Sequence, residues 1–177
     1  MIEKFNYTDK EISEVLKSIK ILIDTREKNN KHILNFFDNK NIKYKLKKLN
    51  QGDYSFYIPK NGELNILRDL YFDKEICIER KNSTDELISN FAQDRNRIES
   101  EFIRNKGKMI LMIEDEGFYR KICNGIYKSK YSKQSALGSY HSFVDRYDLF
   151  PAFIDKEYSA LFIYMTFYYY LRNFLKH

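Results

Sequence analysis

Proline and glycine are scarce in this chain, 2 and 6 of 177 residues, and neither an internal repeat nor a serine- or glycine-rich linker interrupts it. That argues against an array of tethered modules and for one domain, which 43% hydrophobic content suffices to give a real core. Cysteine is almost absent. Cys77 and Cys123 make no metal-ligand spacing, and both read as buried thiols of a reducing compartment. Long apolar runs are missing too: the longest, Ala160 to Leu171, covers only 12 residues and includes Thr166 and several tyrosines, too short to cross a bilayer. The first residues lack the apolar core of a signal peptide. A soluble, cytoplasmic protein with no membrane partner is expected. The balance of 31 Lys and Arg against 25 Asp and Glu, a formal charge of +6, permits a polyanionic partner without requiring one.

What is present is concentrated at strand ends. Ile76-Cys77-Ile78 is an apolar run that stops abruptly at Glu79-Arg80-Lys81, the only Glu-x-Lys triplet in the sequence. On a strand, side chains two positions apart share a face, so Glu79 and Lys81 are expected together and Arg80 on the other side. An Asp-x-Lys at Asp38-Asn39-Lys40 falls instead in a segment of helical period, where i and i+2 do not meet. A carboxylate able to hold a hard divalent ion beside an ammonium able to position water and offset phosphate charge suits phosphodiester cleavage. Two more apolar strands end in acids. Ile21-Leu22-Ile23 delivers Asp24, followed by Arg26 and Glu27, and a turn at Gly52 places Asp53 before the alternating run Tyr54 to Ile58.

The set Ile23-Asp24-Thr25-Arg26-Glu27, Gly52-Asp53-Tyr54, Glu79-Arg80-Lys81, Asp85-Glu86-Leu87 and Asp94-Arg95 resembles, in order and spacing, the nuclease domain of the XPF family of structure-selective endonucleases. The resemblance runs from about residue 20 to the C-terminus, with Gln93-Asp94-Arg95 where the family usually has Asp-Gly-Arg. It implies an α/β fold with a restriction-endonuclease-like core, a mixed sheet flanked by helices, Mg²⁺ or Mn²⁺ as cofactor, and DNA backbone hydrolysis leaving a 5′-phosphate. It implies Asp53, Glu79, the Arg80 carbonyl and Asp24 as metal ligands and Lys81 as the residue that activates or positions water. Arg26 and Glu27 are expected to order the site, Asp85 and Arg95 to line the groove. Arg95, Arg97 and Lys28 are the expected phosphate contacts, with Lys128, Lys130 and Lys133 in a second cluster beside Tyr127 and Tyr131. The family's helix-hairpin-helix and helicase domains have no counterpart here, so residues 20–177 read as a stand-alone nuclease module behind an N-terminal helical extension of residues 1–19. A noncatalytic scaffold of the same fold and a junction-resolving nuclease are the alternatives; crowded intact acids argue against the scaffold.

The remaining pattern gives the element order. Thr8-Asp9-Lys10-Glu11 is a capping box opening a helix to about residue 17. Strand 20–24, helix 31–40, a half-buried strand 42–49 with one lysine face, strands 53–58 and 75–80 around a connection with a small hairpin, and one helix over 83–105 follow. Met109 to Ile113 reads as a central strand, ending in Glu114-Asp115-Glu116, a solvated loop or an extra metal ligand. Helices 118–124 and 132–146, strand 150–154 and a final helix 156–175 complete it. His32 and His141 read as helix-surface or packing residues. The last helix is apolar on most sides and needs more than one covering surface, either the sheet with its tyrosine hydroxyls turned to water or a partner; the family resemblance implies a homodimer whose face falls on helices 132–146 and 156–175.

Overall fold

Alternation along the strands decides the architecture. In a computed structural model that describes residues 7–176, β1 (Lys20–Ile23), β3 (Tyr54–Ile58), β5 (Ile76–Lys81) and β6 (Lys108–Ile113) send successive side chains to opposite faces of one sheet. Ile21, Ile23, Tyr54, Phe56, Ile76, Ile78, Ile110 and Met112 enter one core, whereas Cys77, Met109, Leu111 and Ile113 enter another. The first core is roofed by α1 (Asp9–Lys17), α2 (Lys31–Asn39) and α7 (Ser159–Lys176), and the second by α3 (Thr84–Gln93), α4 (Arg95–Ile103), α5 (Phe118–Asn124) and α6 (Lys133–Arg146). A sheet covered by helices on both sides explains why β6 is apolar at nearly every position.

With β2 (Tyr44–Leu46), β4 (Leu70–Tyr71) and β7 (Leu149–Phe153), the strand order is β2-β1-β3-β5-β6-β7, and β4 is added alongside β3. Strands β1 and β3 and strands β3 and β5 are antiparallel, whereas β2 joins β1, β6 joins β5 and β7 joins β6 in parallel. The C-terminal ends of β1 and β5 therefore meet the start of β3, which brings Asp24, Asp53 and Glu79 to one edge.

The capping box closes as expected: Thr8 Oγ1 accepts from the Glu11 amide at 3.3 Å and Glu11 returns to the Thr8 amide at 2.7 Å. Residues 1–6 of the expected N-terminal extension lie outside the described residues; α1 buries Ile12, Val15 and Leu16 in the same core as α7. The single helix expected over 83–105 is two. Asp94, at φ −120° and ψ 28°, leaves helical geometry, ending α3 and opening α4. The final helix starts with a 3-10 turn at Lys156–Tyr158, and only Tyr44–Leu46 of the expected strand 42–49 pairs as strand. Cys77 is buried as expected, but Cys123 is exposed on α5 because Phe118 and Ile122 take that helix's inward positions. Among the described residues no helix is long and apolar enough to cross a membrane.

Candidate active site

Where β3 begins, the backbone ladder is continued by a side chain. The Asp53 amide donates to the Ile78 carbonyl at 2.8 Å, and one strand step on, the Arg80 amide donates to Asp53 Oδ2 at 2.8 Å. The carbonyl of Arg80 leaves the strand on the same side as its amide and so faces the Asp53 edge. Gly52 makes the turn possible. Its φ is +66°, and a Cβ there would stand 2.8 Å from Cys77 Cβ and 3.1 Å from the Ile78 carbonyl oxygen.

The period-2 expectation for the triplet holds. Lys81 Nζ lies 2.8 Å from Glu79 Oε1, both side chains almost fully buried. Arg80 takes the opposite direction into a network of its own: Nε and Nη2 fork onto Glu114 at 2.8 and 2.7 Å, and Nη1 reaches Glu27 at 2.6 Å. His32 Nε2 lies 2.8 Å from Glu114, and Tyr54 donates its hydroxyl to Glu27 at 3.3 Å.

A cavity of about 510 Å³ opens at this sheet edge, and its walls include Glu27, Asp53, Glu79, Arg80 and Lys81 together with Arg26, Lys28, Arg97 and Arg104. Its electrostatics are unbalanced at the acids. Burial first, then the negative charges of Glu79 and Glu27, push the Asp53 carboxyl well above the usual range, against the pull of Lys81 and the Arg80 amide. Burial also raises Glu27, only partly offset by Arg80. For Lys81 burial favours the neutral amine, but Glu79 and Asp53 outweigh it, and the group is held as an ammonium above the ordinary lysine range.

Asp24 stands apart from this set. Its Oδ1 accepts from the Arg26 amide and Nε, both at 2.7 Å, and its Oδ2 from Arg26 Nη2 at 2.9 Å and the Leu49 amide at 2.6 Å. Four donors use the roughly four lone-pair positions of a carboxylate. Burial pushes Asp24 upward, yet these hydrogen bonds hold it below the usual range. Asp24 is not among the residues lining the cavity; it anchors Arg26, whose guanidinium is at the rim.

Two residues expected to line the groove do not. Arg95 leans on α6, its guanidinium 4.9 Å over the Phe143 ring and donating to Ser139 at 3.1 Å. Asp85 accepts from the Lys128 amide at 2.8 Å and borders a neighbouring hollow of about 390 Å³ with Tyr127, Lys128 and Asp115. Lys130 and Lys133 lie on the same stretch leading into α6, outside both linings. Glu114 and Asp115 are not a solvated loop: Glu114 is buried against Arg80, and Asp115 takes hydrogen bonds from Thr84 and Lys121, each at 2.6 Å. His141 is a surface residue, 3.1 Å from the Tyr119 hydroxyl.

The cavity wall also contains residues that the strand motifs do not reveal, chiefly Glu101 and Arg104 on the α4 side. With Arg97 they recur at i, i+4 and i+7, one helix face. That spacing is legible in the sequence; what it does not reveal is that α4 turns Ile98 and Phe102 to the core and this face to the cavity.

The ERCC4 domain family matches residues 23–164, which contain every strand-end acid described above. Two solved structures share the architecture, both of XPF from Aeropyrum pernix. One aligns with a TM-score of 0.60 and 14% identity over 89% of this chain and 67% of its own. The other, a complex with DNA, aligns with a TM-score of 0.57 and 14% identity over 89% of this chain and 64% of its own. At that identity the likeness establishes the fold, a restriction-endonuclease-like core, and the chain spans about two thirds of those relatives. No curated protein sequence matches the chain significantly. With that family matched across residues 23–164, most of its length, the chain belongs to the ERCC4 domain family.

Proposed function

We propose that this chain is a divalent-metal-dependent endonuclease that hydrolyses DNA phosphodiester bonds. The observation that carries the reading is the juxtaposition of Asp53, Glu79 and the buried Lys81 ammonium on one cavity rimmed by Arg26, Lys28, Arg97 and Arg104. DNA as substrate is supported by the similar Aeropyrum pernix structure, which is a complex with DNA.

Among the described residues no group of three or more His, Cys, Asp and Glu side chains stands arranged as a metal cluster. The donor set nevertheless fits Mg²⁺ or Mn²⁺, because Mg²⁺ needs only one or two protein carboxylates and keeps several of its waters. Asp53, Glu79 and the Arg80 carbonyl would hold the ion, next to the Lys81 ammonium that pairs with Glu79 and the Arg80 amide that bonds to Asp53. When bound, such an ion makes water nucleophilic at neutral pH and offsets charge on the phosphate. Lys81 acts as a fixed cation that orients the attacking water and stabilises charge growing on the phosphoryl oxygens. Arg26, held by Asp24, and Arg97 and Arg104 from the α4 side contact the backbone, and Glu27 is kept in place by Arg80. Asp24 is thus assigned a positioning role rather than metal ligation.

The test is cleavage of labelled single strand, duplex, 3′ flap, 5′ flap, fork and four-way junction with Mg²⁺ or Mn²⁺ against EDTA. Metal-dependent cutting is expected, with flapped or branched DNA preferred. Salt-sensitive binding without cutting of any substrate in either metal would leave a noncatalytic DNA-binding scaffold.

We also infer that two copies pair through α6 and α7. Leu161, Met165 and Tyr169 recur every fourth residue of α7 and remain 43%, 38% and 48% exposed, an apolar stripe on the side turned from the core. Light scattering is expected to give twice the 21.5 kDa chain mass, and Met165→Glu to return the monomer. A monomeric wild type at micromolar concentration sinks the dimer.

A further inference from the structure

The lysines on β2 and the residues flanking it, Lys43, Lys45 and Lys47, are left unused by the site. Ile42 and Tyr44 pack into the first core, so Lys43, Lys45 and Lys47 project to the opposite face. On that face, among the described residues, the small cluster near β2 is Leu22, Leu49 and Tyr57, with Tyr71 at the margin, all from strands and the β2–β3 loop, and no helix contributes to it. Tyr57 and Tyr71 stack at 5.1 Å and 14°. Lysines lie across the pair, with Lys20 and Lys45 ammoniums 5.9 and 5.8 Å from the Tyr57 centroid and Lys47 4.1 Å from that of Tyr71. Lys47 also pairs with Asp73 at 2.9 Å; among the described residues no carboxylate lies within ion-pair distance of Lys20, Lys43 or Lys45.

Direction makes this patch more than a solvated edge. Strand β2 is parallel to β1, whose C-terminal end leads to the cavity, so Lys43, Lys45 and Lys47 advance toward it in that order. The chain then continues through Asn50, Gln51 and Gly52, which are themselves part of the cavity wall. Arg26 bridges the interval by donating to the Leu49 carbonyl at 2.9 Å. Lysines at every second strand residue are about 6.6 Å apart. A DNA strand advances about 3.4 Å per phosphate, so the row matches roughly every second phosphate.

We propose that the basic face of β2, Lys43, Lys45 and Lys47 with Lys20 beside them, is a second DNA-contacting surface that grips the substrate backbone outside the cavity. It rests on the nuclease reading for the identity of the polyanion. The contact is to phosphates rather than bases, since Tyr57 is only 6% exposed beneath the lysine chains and offers no free ring for stacking.

The experiment compares the full chain with Lys43→Gln/Lys45→Gln and with a control of equal charge loss, Lys10→Gln/Lys176→Gln, at the α1 and α7 ends. Binding of a labelled flapped duplex is followed by anisotropy in EDTA across a salt series. Cutting at saturating DNA is measured separately in Mg²⁺. The β2 variant is expected to weaken binding about fivefold at low salt, to lower the slope of log K against log salt by about 1–2, and to keep wild-type kcat. A Kd and slope equal to the control's, with cleavage intact, overturn this surface alone. A wild type that binds no DNA sinks both this surface and the nuclease reading.

Discussion

Asp53→Asn, Glu79→Gln and Lys81→Met are each expected to reduce single-turnover cleavage by about 10³-fold or more, and the double variants to be little worse than the singles. The size follows from what each group does: a preorganised charge at a reacting phosphate is worth about 10²–10³ in rate, and loss of a divalent-ion ligand adds to it. Groups that act as one unit fail together, which is why the effects are not additive. Asp53→Asn carries a second, opposite signature. The Asp53 carboxyl sits well above the usual range in the fold, through burial and the charges of Glu79 and Glu27. The charged form is therefore penalised by folding; that penalty is present above the folded-state value and gone below the unfolded-state value. In EDTA at pH 8 the variant is expected to melt higher than the wild type, and the gain to vanish in acid. An inactive variant that also melts lower at pH 8 would place Asp53 in the scaffold rather than the chemistry.

Local periodicity made much of this molecule legible. The alternation of β3, the unbroken apolar β6 and the Thr8–Glu11 box each determine structure from neighbours a few residues away, and the period of two correctly joined Glu79 to Lys81. Partners from far along the chain were not legible. Asp24 reads as a free strand-end acid until the loop brings in the Leu49 amide, 25 residues later. Arg95 reads as a groove residue until α6 offers Ser139 and the Phe143 ring. The break at Asp94 has no proline or glycine to announce it. It is a local departure from helical geometry at Asp94, with Leu87 and Phe91 before it and Ile98 and Phe102 after it all entering the second core. Glu114 illustrates the same limit most sharply, because its partner lies on another strand.

Glu114→Ala is expected to cost about 3–5 kcal/mol in chemical denaturation, the range for breaking a buried ion pair from one side. The Arg80 guanidinium is 3% exposed and commits its Nε and Nη2 donors to Glu114 at 2.8 and 2.7 Å. Without that carboxylate a buried cation keeps only Glu27 as a charged partner, at 2.6 Å. Against a total stability of about 5–15 kcal/mol, such a loss leaves the domain close to its unfolding threshold at physiological temperature. Glu114→Gln retains an acceptor and is expected to lose less, and His32→Ala less again, since His32 is the partly exposed end of the network at 26%. The pH dependence has a definite sign. Burial works to raise Glu114, but Arg80 and His32 hold it below the usual glutamate range. Its contribution is therefore complete above the unfolded-state value near pH 4.3 and is lost as pH falls through the lower folded-state value. The wild type should lose stability more steeply below pH 4 than Glu114→Gln does. Equal acid limbs, or a Glu114→Ala cost below about 1 kcal/mol, would mean that water or Glu27 solvates Arg80 in its place. The tether between β5 and β6 would then be dispensable for holding Glu27 at the cavity.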